Sequence, residues 1–367
     1  MTDRAHLAFT LALHRAAAPD LRANACWSPY SVASALGLVA LGARGMTRDE
    51  LTVLLLGEKS GDLRSLGRLL TKAATLQQSR GDEEPVLSVA NTLWTDAGAG
   101  IRESYVDELG EWSSGSVKPA PFQDDPEQAR GLINSDVKEI TRGLIPELVP
   151  PEAIRPDTVA ALINALYLKC AWRNRFAEGA TGPRPFHGPG GTVEVPTMEL
   201  SERIGYSAVN GWQVVSLPAV GGVRAVVLLP DADLATAEPA LDAAALATLL
   251  EAPRPTQVNL RLPKLDVKMR AELTSALTQL GVETVFTNDA DLSGINPDLA
   301  VQAVLHESVL RVDEEGFEGA AATAVMFRTV SMIIDEPVTV DVDRPFLLLI
   351  EHAETGVIYF VARVIEP

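Results

Sequence analysis

The sequence predicts an α+β fold, and three observations lead there. Helical periodicity crowds the first third of the chain. Short apolar or alternating runs of strand character fill the middle and the end. The two never settle into the strand–helix–strand rhythm that a parallel α/β sheet requires. A rule of about 150 residues per domain allows two domains in 367 residues. No internal repeat and no Ser/Gly linker marks a boundary, and the 27 Gly and 24 Pro are spread throughout, so residues 1–367 read as a single domain.

Residues 23–43 carry no charge. Asn24, Ser28, Pro29, Ser31 and Ser34 interrupt them, so the apolar part falls well short of the roughly 20 residues of a membrane span. The segment predicts a buried helix after a strand or turn. Thr47 and Glu50 stand at capping-box spacing, with Leu51, Leu54 and Leu55 on one helical face behind them. Residues 226–230 form an apolar run stopped by Pro230, and residues 258–262 alternate as a half-buried strand does. Residues 271–280 bring Leu273, Leu277 and Leu280 to one helical face, with Gly281 as the stop. Residues 346–351 and 357–364 flank Thr355-Gly356 and predict a hairpin.

With 31 Lys+Arg against 49 Asp+Glu the formal net charge is −18. Nucleic-acid binding rests on cations that neutralise phosphates, and attraction to an anionic membrane rests on the same surplus, so both are excluded as expectations. No apolar core follows a basic start, so no signal peptide is expected and the cytoplasm is the default compartment. Cys26 and Cys170 allow one disulfide by arithmetic, but a chain of this size does not need it. They read as buried thiols packed as small hydrophobes. His6, His14, His187, His306 and His352 form no zinc spacing.

No nucleophile elbow, P-loop, dinucleotide fingerprint or zincin helix is present. Acid pairs such as Glu83-Glu84 and Asp124-Asp125 read as solvated loops. The sequence offers an enzyme no handle. Its informative segment is late. Residues 312–332 lead with acids to Gly316 and continue with very small residues from Gly319 to Ala324. Such a run suits a helix, a protease-accessible loop, or a segment that must slot between two strands where inward side chains have to be small.

This segment resembles the hinge and reactive loop of the serpins, the large fold-switching protease inhibitors. The likeness extends along the whole chain in order. It takes in Asn24-Ala-Cys-Trp-Ser-Pro-Tyr-Ser31, Gly42-Ala43 and Thr47-x-x-Glu50-Leu51. It continues through Leu162-Ile-Asn-Ala-Leu-Tyr-Leu-Lys-Cys-Ala-Trp172, Phe176, Thr181, Phe186 and Val195-Pro-Thr-Met198. Leu262-Pro-Lys264, Ala290-Asp-Leu-Ser-Gly-Ile295 and Asp343-Arg-Pro-Phe346 complete it. The look is that of prokaryotic, intracellular members.

The resemblance implies a serpin fold: a large, mostly antiparallel central sheet, further sheets, surrounding helices, and an exposed reactive loop at about 314–336. It implies a hinge of Glu314, Glu315, Gly316, Phe317, Glu318, Gly319, Ala320, Ala321, Ala322 and Thr323. It implies a polar shutter of Ser28, Ser31, Asn164 and His306, which on their own read as satisfied core polar residues, and a breach at Trp172. It implies inhibition of a serine protease by suicide: the loop is cut, an acyl-enzyme forms, and the cut loop enters the sheet. The usual spacing from Glu314 puts the reactive bond at Val330–Ser331, with Thr329–Val330 next. Val330 suits the small pocket of an elastase-like enzyme, whereas Phe327 or Arg328 would invite chymotrypsin-like or trypsin-like ones. The target is a chymotrypsin-fold or subtilisin-like protease, and the inhibitor a monomer without catalytic residue, metal, cofactor or heparin. Two other readings stand beside this one: a non-inhibitory carrier or chaperone, and a hydrolase with an unrecognised Ser/His site.

Four departures stand out: Phe317 where the hinge usually has a small residue, Gly319 for Ala, Glu307 for Lys, and Ala362 for Gly. Alternation along an inserted strand turns Phe317, Gly319, Ala321 and Thr323 inward and Glu318, Ala320, Ala322 and Ala324 outward. Phe317 is the bulky inward member. Forcing it in is expected to slow the first step, and Phe317→Thr to speed trapping.

Overall fold

A computed structural model describes residues 4–78, 84–109, 112, 115–155, 158, 160–297, 299, 301, 304–317 and 336–367. The first third is helical: α1 (Arg4–Ala17), a short strand β1 (Ala25–Trp27), then α2 (Pro29–Gly42), α3 (Gly45–Leu56) and α4 (Leu63–Ala74). There follow β2 (Val86–Asp96), α5 (Glu103–Leu109), β3 (Gly115–Ala120), α6 (Pro126–Ile140) and β4 (Ala160–Ala171). The middle holds β5 (Gly182–Gly188), β6 (Gly191–Val209), β7 (Trp212–Pro218), β8 (Val223–Pro230), α7 (Leu234–Ala237) and α8 (Ala243–Glu251). After β9 (Arg254–Pro263), β10 (Leu265–Glu272) and α9 (Thr274–Gln279) come β11 (Val304–Val312) and β12 (Gly316–Phe317). The chain closes with β13 (Val338–Asp341), β14 (Phe346–His352) and β15 (Ile358–Val364).

Among the described residues the strands form two sheets. A six-stranded sheet runs β10-β11-β12-β4-β2-β3, and a nine-stranded one runs β1-β15-β14-β8-β7-β6-β9-β13 with β5 paired to β6. Most pairs are antiparallel, but β2–β3, β4–β11 and β9–β13 are parallel, so both sheets are mixed. The α+β expectation stands. The hairpin expected near Thr355-Gly356 is β14–β15, where Gly356 takes a left-handed φ of 71° that suits glycine.

α2 explains how the sheets meet. Ser28 caps it by accepting from the Ser31 amide, Pro29 opens it, and all fourteen of its residues are buried. A helix apolar all round has no face for water. It packs against β15 of one sheet and β4 and β2 of the other. A smaller apolar cluster lies under α6, where Ile133 and Val137 meet Ile163 of β4 and Val309 of β11.

Two local expectations are corrected. α3 begins at Gly45, so Thr47 and Glu50 lie inside it, and the capping box does not form. Their acceptors go to a distant loop instead: the Thr47 hydroxyl takes the Asp291 amide at 3.0 Å, and the Glu50 carboxylate takes the amides of Glu283 and Thr284. The helix expected at 271–280 shrinks to α9. Residues 265–272 are committed to an eight-residue ladder with β11, and tertiary pairing overrides the local period. No helix among the described residues is long and apolar enough to cross a membrane.

Candidate functional site

β4 and β11 run parallel and meet directly only at one end, where Leu162, Ile163 and Asn164 pair with Val304, Leu305 and His306. Toward the other end they part, and β12 stands between them. Gly316 pairs with Ala171, and Phe317 pairs with Cys170 on one side and Val312 on the other. Below Phe317 lies a small cavity lined by Leu166, Leu168, Leu310 and Phe360 among others. The central sheet is thus a fork, closed at one end and holding the start of an extra strand at the other.

The closed end carries the polar cluster. The Ser28 amide donates to His306 Nε2 at 3.1 Å, which leaves the ring proton on Nδ1, and Nδ1–H donates to Asn164 Oδ1 at 3.0 Å. Asn164 Nδ2 donates to the Ser31 carbonyl at 2.7 Å and to Asn91 Oδ1. The Ser308 hydroxyl donates to the Cys26 carbonyl at 2.6 Å. All of these residues are buried. Burial drives the His306 imidazole down to about 4, so the ring is neutral at pH 7. The structure therefore brings Ser28, Ser31, Asn164 and His306 together and adds Asn91, which the sequence reading missed. Asn91 faces Asn164 across the β2–β4 ladder. Its only signal in the sequence is an amide in the middle of a strand-like run.

The open end is built around Trp172. Its indole Nε1–H donates to the Asp313 carbonyl at 2.8 Å and its amide to the Glu315 carbonyl at 2.9 Å. Phe176 and Phe317 both meet the indole edge-on, with centroids 5.9 Å and 4.6 Å away. Phe317 is 1 % exposed. Gly316 is required by contact: a Cβ there would lie 2.1 Å from the Cys170 carbonyl oxygen. The turn from β11 into β12 is tied by Asp313, whose carboxylate accepts the amides of Glu315 and Gly316.

The glutamates of this turn are anchored on both sides. Glu314 accepts from Lys264 Nζ at 2.7 Å and from the Thr181 hydroxyl at 2.7 Å. Burial alone would push its carboxyl up, but these two donors outweigh burial and hold it below the usual range. Glu315 pairs with Arg175 at 2.6 Å. Lys264 and Thr181 carried the family likeness in sequence without a role, and Arg175 gave no signal at all. Glu307, one of the departures, pairs with Arg270 across the β10–β11 ladder at 2.9 Å. Both cysteines are free and buried, and burial pushes each thiol up to about 12.

Phe317 departs from expectation in its starting point. It was expected to be forced into the sheet after cleavage, yet it is buried there in the intact chain. The remaining hinge residues, Glu318, Gly319, Ala320, Ala321, Ala322 and Thr323, lie outside the described residues. So do Ala324, Phe327, Arg328, Thr329, Val330, Ser331 and Glu83.

Comparison with known proteins agrees with this architecture. The family described as "Serpin (serine protease inhibitor)" matches residues 4–367. An uncharacterized serpin-like protein of Thermococcus kodakarensis is 33% identical over 350 residues, covering 94% of this chain and 81% of that one. Iripin-2 of Ixodes ricinus is 34% identical over 371 residues, covering 98% and 92%. Among solved structures, uncleaved ovalbumin superposes with a TM-score of 0.84 at 24% identity over the full length of both chains. Serpin48 of Tenebrio molitor, described as a highly specific serpin, gives 0.84 at 28% identity, covering 99% of this chain and 97% of that one. Thyroxine-binding globulin in complex with thyroxine gives 0.86 at 23%, covering 100% and 99%. A forked central sheet, a polar cluster at its closed end and a full-length family match leave one assignment: the chain belongs to the serpin family.

Proposed function

We propose that the protein inhibits a serine protease as a suicide substrate. The observation that carries this reading is the fork between β4 and β11, closed by direct pairing at one end and occupied by Gly316–Phe317 at the other. A strand added there gains ladder bonds on both edges, and loop insertion into a sheet is an established mode for this family.

The protease serine attacks the carbonyl carbon of Val330. The bond to Ser331 breaks, the serine proton passes to the leaving amine, and residues up to Val330 stay attached as an ester. Freed of its far end, the loop extends β12 down the gap and carries the protease with it before water can attack the ester. The inhibitor acts as a monomer and is consumed, one copy per protease. A Val before the bond favours elastase-like enzymes.

A denaturing gel after mixing with an elastase-like protease tests the reading. A stable band of summed mass is expected, with a released fragment that begins at Ser331. Ala321→Arg is expected to abolish the band and leave only cleavage, because insertion would drive an unpaired charge into the core. A variant that still traps its protease one-to-one would sink insertion as the mechanism. Cleavage of the natural chain without any band would favour the non-inhibitory reading, which the likeness in fold to ovalbumin and thyroxine-binding globulin keeps in view.

A further inference from the structure

We infer that Phe317 is a positioning residue that starts strand insertion before the loop is cut. The inference rests on the inhibitory reading above and goes beyond it. A bulky residue at this place looks like an obstacle to entry. In the structure the obstacle has already been passed: the ring is buried edge-on against Trp172, and its backbone is in register with Cys170 and Val312. The turn behind it is fastened by Asp313, and Glu314 and Glu315 are anchored on Lys264, Thr181 and Arg175. Two residues of the new strand are in place while the chain is intact.

Being in place matters because the opening of a strand is its hardest part. The first residues to enter lose conformational freedom and close a loop before the ladder returns anything. Later residues each add to an edge that already exists. After cleavage, insertion races attack of water on the acyl ester. A seated pair removes the slow opening from that race, so more of the attacks end in trapping.

What holds the pair is the side chain at 317. Its buried area and its edge-on contact with the indole favour the seated hinge. Gly316 has no side chain to contribute, and its backbone lies too close to Cys170 to admit one. A small residue at 317 would leave the hinge tied at the glutamates but loose at the gap. The same seating withholds the hinge from proteolysis, since a protease binds its substrate as an extended strand and this one is already paired on both edges.

The test titrates natural protein, Phe317→Ala and Phe317→Leu with one elastase-like protease, each as the folded monomer. The natural chain is expected to trap near one-to-one. Phe317→Ala should raise the stoichiometry of inhibition about ten-fold, and Phe317→Leu should restore it to within about two-fold. This ratio reports how each attacked molecule partitions, so a variant that has merely lost stability does not move it. A brief chymotrypsin digest of the natural chain, read by fragment mass, is expected to leave the bond after Phe317 intact. Natural stoichiometry in Phe317→Ala would overturn the inference, and so would prompt cleavage after Phe317. If the natural chain traps no serine protease, the inhibitory reading fails instead, and the digest alone decides whether the seat exists.

Discussion

His306 has a fixed partner at each ring nitrogen: Nε2 accepts from Ser28, and Nδ1–H donates to Asn164. A second proton has no acceptor to meet, since Nε2 already faces a donor. Burial holds the folded ring at about 4, whereas the unfolded ring titrates near 6.5. As pH falls below 6.5 the unfolded chain takes up a proton that the fold refuses. Stability present above 6.5 is therefore lost down to about 4, by up to ~3 kcal/mol. Urea midpoints at pH 7.5 and 4.5 check this. The drop should shrink in His306→Gln, while His14 and His352, also held down by burial, contribute equally to both proteins. Asn164→Leu removes the partner of His306, Asn91 and the Ser31 carbonyl at once, which costs roughly 1–3 kcal/mol per group left unpaired. A lower melting temperature and polymers on size exclusion are expected, and an unchanged monomer of unchanged melting would count against a shutter role. Four members of this cluster were legible because they sit in ordered motifs. Asn91 was not, because only the β2–β4 register says what it faces.

Among the elements, β12 is the decisive one, described over Gly316 and Phe317, with Phe317 paired on both edges. Gly316→Ala is expected to unseat it, because the new methyl would collide with the Cys170 carbonyl and adjoining backbone rather than with a side chain that can turn away. Trapping should become several-fold less efficient and the hinge more readily cut, as read by stoichiometry and by digestion. The strand segments read at 226–230 and 258–262, which the structure extends to 223–230 and 254–263, and the final hairpin were legible from apolar runs, alternation and turn residues, which are local signals. The helix read at 271–280 rested on Leu273 and Leu277, which do share a helical face, but its first two residues belong to β10. Both leucines are buried, but the ladder to β11 takes every residue before them.

The two ends of the molecule are joined by a buried charge cluster that no motif announced. Arg363 of β15 donates to Glu238, to the Ala18 carbonyl at 3.1 Å and to the Asp20 carbonyl at 2.9 Å. His14 of α1 accepts from the Trp27 indole at Nδ1, so its other nitrogen carries the proton toward Glu238. Burial pushes the Glu238 carboxyl up, but Arg363 and His14 more than offset it and hold it at about 2. Cleavage of the loop is expected to raise the melting temperature by at least about 10 °C, because insertion adds a strand's ladder and its buried area to an unchanged frame. Calorimetry before and after stoichiometric cleavage checks this, and a cleaved protein that melts at or below the intact temperature would exclude insertion. As a member of an inhibitor family the chain is not an enzyme.

By itself the sequence determined the α+β class, the family likeness, the strand that flanks the gap and the small-residue run from Gly319 to Ala324. Each of these is a matter of residue type at short spacing, and the chain carries it without help from distant partners. Only the tertiary structure decided that Phe317 is seated in the intact chain, that Asn91 completes the polar cluster, and that Lys264, Thr181 and Arg175 anchor the hinge. Those facts depend on which strands lie side by side and in what register. Residues 50 to 147 positions apart come into contact there, and the burial that results settles whether a bulky ring obstructs the gap or holds it open.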